Sequence, residues 1–514
     1  MCLRCAPCNN NRFVRHWLHI LVAAVAAFTL WWRIDGTVLW RDEATTACWA
    51  REMVERREFV PRVFHGERLI VQAPDGHDFN DHFLPAMQGW LQFYVAALGF
   101  WLGGVGTVQA RAPFVLAGAA ALVVMYRLGR ELFGSERAAL GLPLLGATSI
   151  YFLTPARQAR YYILIVLFTL LILWEFARYW KEPERARTGG FYVRLGLYGA
   201  LAYLANYVSF GGLWVSLTVF VSLTRDHTLI RRFLLLSGVL AAPMALEFWW
   251  VHADFVAGSV AALPVTREQW WLVLRYHWTE MFRMIPLGVV VPAAWYVYGR
   301  RRERGCMALL CLSIVVVSMV VTIGVGRLGA APRYYFQTLA AALVLTGILG
   351  ERVWALAGKK WGVAYFAFAL VWPNLNFYHN WCEHAVERQL TRDTTCNEPI
   401  VEFLRNNVKP QETVAFHRNV QGMMASFNLP WLKWVAMLDA DEPRNKRRRG
   451  LLPDYLFDDW EGADWYVVWD DRGVRPKKLT DRYKLVWEYT YVNPKSWWDW
   501  DTPNRVLGYK VYRR

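Results

Sequence analysis

The chain has 514 residues, 55% of them apolar, with 29 tryptophans and a formal net charge of +16. Apolar runs of about 17–25 residues recur along it, each long enough to cross a bilayer, so composition excludes an ordinary soluble enzyme. Lys and Arg gather in short loops between those runs, so the charge reads as membrane topology and headgroup contact rather than nucleic-acid binding.

At the N-terminus, "MCLRCAPC" brings Cys2, Cys5 and Cys8 together without a fourth metal ligand at a usable spacing. They are expected to be incidental or lipidated. The first apolar run, "WLHILVAAVAAFTLWW", follows Arg4, Arg12 and Arg15. Its Trp-rich exit favours an uncleaved first span over a signal peptide. Spans are expected near 17–35, 111–129, 138–154, 161–179, 191–206, 208–224, 233–252, 284–299, 306–325, 336–350 and 361–373.

Basic residues crowd alternate connections: the N-terminal tail, 127–137, 178–194, 225–232, 300–304 and 351–360. They are sparse in 155–160, 253–283 and 326–333. The crowded set is therefore expected in the cytoplasm, and the sequence after 374 outside. One apolar run, 83–106, breaks this scheme if it spans. Pro85 interrupts it early and a glycine cluster ends it, so it is expected to lie in the outer interface or to dip in and return. Residues 33–110 then form one long outer loop. The tail differs in kind. Short β-like runs ("TVAFHR", "DWYVVWD", "YKLVWEYTYV", "VLGYKVYRR") alternate with helix-like pieces such as "EPIVEFLRNN", with Asn397 as N-cap. The expected architecture is an all-α polytopic membrane domain over 1–374 with about eleven spans, plus a small α/β domain over 375–514 on the outer face.

Charge at membrane depth is costly, which makes it a functional candidate by default. Four outer clusters stand out: "WRDEATTACW" with Asp42 and Glu43, "DGHDFNDHFLP" with Asp75, His77, Asp78 and His82, "PARQARYY" with Arg157, Arg160 and Tyr161, and "RLGAAPRYYFQ" with Arg333 and Tyr334. In a helical arrangement Arg157 and Arg160 share a face. Two guanidiniums beside interfacial tyrosines suit a phosphate at headgroup depth. A carboxylate facing them is a candidate general base. Plainer readings stay open: arginines at span ends that snorkel to headgroups, and an acidic pair that caps the helix "EATTACWAREMVERREF". The "DGHDFNDH" spacing matches no specific metal site. Cys382 and Cys396 pair only if their side is oxidising. The aromatic stretches 268–278 and 496–505 read as an interfacial anchor and a packing or glycan-contact surface; the basic run 445–450 reads as a solvated loop.

A first span, "DEA" opening a helix, a basic or His residue before a Pro and an aromatic helix, and then "RAPFVLAGAAALVVMYRLGRELFG", "ERAALGLPLLGATSIYFLTPARQARYY" and "RYYFQTLAAALVL" follow in order over roughly 15–350. Together these resemble the GT-C membrane glycosyltransferases of the protein O-mannosyltransferase, aminoarabinose-transferase and RgtA/B/C/D-like type. The resemblance implies inverting transfer of a sugar, hexosyl or pentosyl, from a polyprenyl-phosphate donor to a lipid, glycan or protein acceptor outside a bacterial inner membrane. It implies Asp42 as base, Glu43 as its catalytic neighbour, and His82, Arg157, Arg160, Tyr161, Arg333 and Tyr334 around the donor phosphate. "HFLPAM" stands where relatives commonly carry a double proline. No Asp-X-Asp-type motif is evident, so metal-independent chemistry without a cofactor is expected. The rival expectation is a transporter or flippase for a lipid-linked saccharide, which calls for paired repeats and broken helices at the midplane; neither is evident.

Overall fold

The computed structural model describes residues 24–65, 68–69, 79–86, 88–182, 184, 188–253, 268, 271, 302–325, 336–376, 397–417, 419–435, 462–470, 482–493 and 505–514. The expectations for Cys2, Cys5, Cys8, Asp75, His77, Asp78, Arg333, Tyr334, Cys382, Cys396, the span 284–299, the run 445–450 and, apart from Arg505, the run 496–505 lie outside them. So does nearly all of 268–278.

Helix α1 (24–31) leads through a short turn to α2 (Arg41–Arg56). Then come α3 (Leu91–Gly103), α4 (Thr107–Phe133), α5 (Glu136–Ala139), α6 (Gly141–Thr148), α7 (Ile150–Ala156) and α8 (Tyr162–Lys181). The helical part continues with α9 (Gly189–Ala205), α10 (Tyr207–Leu223), α11 (His227–Val251), α12 (Arg302–Val325), α13 (Phe336–Ala357) and α14 (Lys359–Asn376). Among the described residues, α4, α8, α11 and α13 are both long and apolar enough to cross a membrane. The chain is a membrane protein.

Among the described residues four helices thus meet the length and composition of a span; of the about eleven expected, 284–299 and the first part of 17–35 lie outside those residues. Where expected spans are shorter in the structure, the physical reasons are local. The run 138–154 is cut at Ser149, whose extended backbone separates α6 from α7. Asn206 separates α9 from α10, and its side chain accepts the Ser209 amide as an N-cap. The apolar run 83–106 forms α3, whose 13 residues reach about 20 Å, too short for a hydrocarbon core of about 30 Å. Trp101 and Leu102 stay exposed along it. Gly99 lets α3 touch α4, since a Cβ there would meet the Gln109 carbonyl at 2.1 Å. That carbonyl has no helical donor because Pro113 occupies the position four residues on.

Beyond α14, helices α15 (Glu398–Asn407) and α16 (Asn419–Asn428) pack with strands β3 (Thr413–Phe416), β4 (Lys433–Val435), β5 (Trp465–Asp470), β6 (Lys484–Asn493) and β7 (Arg505–Arg513). The pair β1 (Phe64–His65) and β2 (Arg68–Leu69) forms a separate two-stranded ladder. The five-stranded sheet has the order β4-β3-β5-β7-β6. Its first three strands are parallel, and β7 runs antiparallel to both β5 and β6. Its buried apolar residues, Ile400, Val414 and Val467 among them, join those of the helices in one core.

Helix α2 sits where these parts meet, and the helical repeat gives it three working faces. Asp42, Thr46 and Trp49 look toward α3, where Trp49 meets Phe93 edge-on at 4.9 Å. Glu43 looks toward α4. Thr45, Cys48 and Arg51 look toward α16, with the Cys48 thiol donating to Met423 O and Arg51 Nη1 donating to Ser426 O. Val38, just before α2, donates its amide to Glu398 at the start of α15.

Candidate active site

Asp42 and Glu43 open α2, where the exposed amides of the first turn favour negative charge. One residue of helical rotation sends them to different places. Glu43 is fully buried and takes both arms of the Arg111 guanidinium, Nε to Oε1 at 2.9 Å and Nη2 to Oε2 at 2.7 Å. It also accepts the amide of Ala159 at 2.8 Å and, more weakly, that of Trp40 at 3.4 Å. Arg111 further donates to the carbonyls of Ile34, Thr37 and Val38. This fork holds the α1–α2 turn, α2, α4 and the loop before α8 together.

The Asp42 carboxylate keeps 18% of its side-chain surface and lies 3.8 Å from Arg160 Nη2. Arg160 itself is buried. Its Nη1 donates to Gln88 Oε1 at 2.6 Å, to Asp42 O at 3.2 Å and to Thr46 Oγ1 at 3.3 Å. Its guanidinium lies 5.4 Å from the Tyr161 ring and 5.6 Å from the Tyr162 ring, within cation–π range. Gln88 Oε1 also accepts from Gln92 Nε2, and Gln92 Oε1 accepts from Thr46 Oγ1. A closed ring of amides, hydroxyl and guanidinium thus fixes the neighbourhood of the Asp42 carboxylate.

Arg157 is placed differently from Arg160, although only three residues separate them. No helix runs through 157–161, so the shared face expected from helical spacing does not arise. Arg157 Nη1 donates to the carbonyls of Thr29 and Leu30, and Nη2 to those of Trp32 and Arg33. These carbonyls close α1, which turns into the left-handed region at Arg33 (φ 52°). Burial, and then the neighbouring Arg111 charge, lower Arg157 to about 10, so it remains a cation at neutral pH.

Tyr161 is buried and meets Tyr162 edge-on at 4.6 Å. Tyr162 in turn meets Phe336, the first residue of α13, at 4.9 Å. His82 is exposed in a turn that Asn80 organises, its Oδ1 accepting the amides of His82 and Leu84. The His82 ring lies 6.1 Å from that of Trp250.

The sequence reading passed over Arg111, Gln88, Gln92 and Thr46. The first had a usable signal, a lone cation inside an apolar run. A lone charge of the opposite sign marks Glu175 in the same way, and it binds Arg194 at 2.8 and 2.9 Å. That pair is 13 residues along α8 from Tyr162, about 20 Å from the Asp42 end. The uncharged amides and the hydroxyl carry no such mark.

Residues 87–250 match the family model described as dolichyl-phosphate-mannose-protein mannosyltransferase. No curated protein sequence matches the chain. Among solved structures, the chain is similar to ArnT from Cupriavidus metallidurans bound to undecaprenyl phosphate, with a TM-score of 0.58 and 15% identity over 96% of this chain and 98% of that one. Against the same protein in the apo state the TM-score is 0.59 and the identity 16%, over 97% and 98%. The fold is thus of the GT-C type, as the sequence resemblance implied.

Proposed function

We propose that the chain transfers a sugar from a polyprenyl-phosphate donor to an acceptor hydroxyl, with inversion, at the outer face of a bacterial inner membrane. The observation that carries this reading is the division of labour between the two acids. Glu43 is fully engaged inside the fold, whereas Asp42 keeps an accessible carboxylate next to the Arg160 cation. The shared fold with a protein crystallised with undecaprenyl phosphate, and the match of 87–250 to a lipid-linked mannosyltransferase family model, point to the same donor class.

In this reading Asp42 takes the proton of the acceptor hydroxyl as its oxygen attacks the anomeric carbon. The bond from that carbon to the phosphate oxygen breaks on the opposite face, and the phosphate leaves with the electron pair. Cations near the leaving phosphate lower the cost of that charge. Arg160 and Arg333 are the cations proposed for it, with His82 and the Tyr334 hydroxyl proposed as hydrogen-bond donors to the same phosphate and Tyr161 holding the Arg160 plane. The four carbonyl contacts of Arg157 give it a framework role instead. Glu43 acts by holding the Asp42 helix and the Arg160 loop in register. No metal or cofactor takes part in this reading. The N-terminus is proposed to be cytoplasmic and the five-stranded sheet to lie outside.

The test is Asp42→Asn in purified full-length protein, with polyprenyl-phosphate sugars as donors. Loss of a general base is expected to slow transfer by about 10²–10⁴-fold, with undecaprenyl phosphate binding retained. Transfer at the wild-type rate with unchanged lipid binding removes Asp42 as the base. Movement of a lipid-linked saccharide across liposomes without any sugar transfer selects a transporter instead.

A further inference from the structure

Helices α4 and α8 run side by side in the same direction. At one end Glu43 joins Arg111 of α4 to Ala159, just before α8. Toward the other end Arg127 of α4 lies over the Trp174 ring of α8, its guanidinium carbon 5.5 Å from the ring centroid. Trp174 stands 12 residues beyond Tyr162, about 18 Å along the helix. Both helices are long and apolar enough to cross a membrane, so this second cluster belongs to the leaflet opposite Asp42. Arg127, Glu175, Arg178 and Arg194 share its level. Charge of that density marks where hydrocarbon gives way to headgroups, and tryptophan favours the same boundary.

Neighbouring cations are matched. Arg130 pairs with Glu136 at 3.0 Å, and Lys181 with Glu131 at 2.8 Å. Arg194 takes both oxygens of Glu175, at 2.8 and 2.9 Å, and Arg178 Nη1 shares Oε1 at 3.2 Å. One carboxylate thus answers two guanidiniums. Arg127 is exposed and makes no ion pair among the described residues. Arg178 lies over the same Trp174 ring at 5.1 Å, so one indole carries two cations. A ring contact by itself uses none of a guanidinium's N–H groups in a hydrogen bond. The indole Nε1 is a buried donor with no acceptor among the described residues. An unmet donor beside two under-compensated guanidiniums suits an anion with several oxygens.

We propose that Arg127, Trp174 and Arg178 bind the phosphate of an anionic phospholipid in the leaflet opposite Asp42. The two unesterified oxygens of a phosphodiester accept from the guanidiniums and from Nε1. The source is a lipid because the donors stand on two membrane-spanning helices, at the depth where headgroups begin. A lipid with net negative charge answers the cations, whereas a zwitterionic headgroup brings its own cation to the site. The inference rests on α4 and α8 as spans and not on the proposed sugar transfer.

The test is native mass spectrometry of the full-length protein released from detergent, with phosphatidylglycerol, phosphatidylcholine or inorganic phosphate added. The wild-type protein is expected to retain phosphatidylglycerol about tenfold more strongly than phosphatidylcholine, and inorganic phosphate weakly. Arg127→Gln is expected to lower phosphatidylglycerol affinity about fivefold, the factor for one cation at the membrane surface. Arg127→Lys keeps the charge and is expected to recover most of it. Trp174→Phe keeps a ring, removes the donor and is expected to lose about fivefold, the factor for one hydrogen bond. Lys360 is the control: it is exposed at the start of α14, after α13 has crossed from its contact with Tyr162. Lys360→Gln removes the same charge at the same end and is expected to bind like wild type. Equal losses in Lys360→Gln and Arg127→Gln mean diffuse attraction and overturn the site. Wild-type affinity in Trp174→Phe, or inorganic phosphate held as tightly as phosphatidylglycerol, overturns it too. A photoactivatable phosphatidylglycerol gives a second reading on the wild-type protein without substitutions. Its cross-links are expected on peptides containing 127 or 174–178, and cross-links that avoid both overturn the proposal.

Discussion

Arg111 and Glu43 form a two-pronged ion pair, at 2.9 and 2.7 Å, with both side chains buried. Such a pair gains its attraction in a low-dielectric interior, but either partner alone is left as an uncompensated charge. Glu43→Gln and Arg111→Met are each expected to destabilise the protein by about 3–5 kcal/mol. The double variant is expected to recover part of that loss, because the removals share one interaction. Thermal unfolding of the purified protein in detergent checks this. Strict additivity of the two single effects argues against a coupled pair.

The expectation that Asp42 and Glu43 matter was legible because two charges beside an apolar run need a reason. Their different fates were not. Helical geometry turns successive side chains by about 100°, and which neighbour each one meets depends on α4 and on the 157–160 loop. Arg111 was readable as a cation in an apolar run, yet it was absorbed into a resemblance. Gln88, Gln92 and Thr46 were not readable, since uncharged polar residues in a loop carry no local signature of a partner. The short reach of α3 was legible from Pro85 and the glycine cluster. The cut at Ser149 was not, because serine carries no strong helix-breaking signal. The alternation of short strands and helices in the tail announced mixed α/β structure. The docking of α16 on α2 arises from contacts some 375 residues apart, beyond local pattern.

Arg160 Nη1 serves three acceptors on two segments, Gln88 Oε1, Asp42 O and Thr46 Oγ1. A lysine keeps the charge and loses the planar fork. Arg160→Lys is expected to lower kcat/KM for sugar transfer about 10–100-fold, which is about 1.4–2.7 kcal/mol of transition-state stabilisation. Gln88→Ala is expected to do the same more weakly, and the double variant to lose less than the sum. Steady-state kinetics on the three proteins decide it. Wild-type kcat/KM in Arg160→Lys means that charge alone matters there.

Arg157 offers a contrast within the same loop. Four carbonyls at the end of α1 accept from it, and an ammonium with three donors on a shorter stem cannot replace all four bonds. Arg157→Lys is expected to cost roughly 1–3 kcal/mol of stability, the penalty for stranding a buried acceptor. Undecaprenyl phosphate affinity is expected to change little. A melting curve and a lipid-binding titration on the same sample separate the roles. Unchanged melting with a tenfold loss of lipid affinity assigns Arg157 to the phosphate.

Helix α16, which packs with the sheet, reaches the back of α2. Phe427 of α16 is buried between the stacked Phe100 ring, at 6.0 Å, and the Arg51 guanidinium, at 5.9 Å. Cys48 and Arg51 fasten the same face to Met423 and Ser426. Helix α2 carries Asp42 on another face, so play in the α16 contact becomes play in the carboxylate. Truncating a buried aromatic leaves a cavity worth about 3–5 kcal/mol. Phe427→Ala is expected to increase hydrogen exchange in both 419–428 and 41–56. It is also expected to lower kcat more than it raises KM for the donor, because the donor phosphate is proposed to bind on the far side of α2. Phe427→Leu fills most of the cavity and is expected to restore both. Exchange that rises in 419–428 alone, with kcat unchanged, means that α2 is rigid without the sheet and that the sheet serves another purpose.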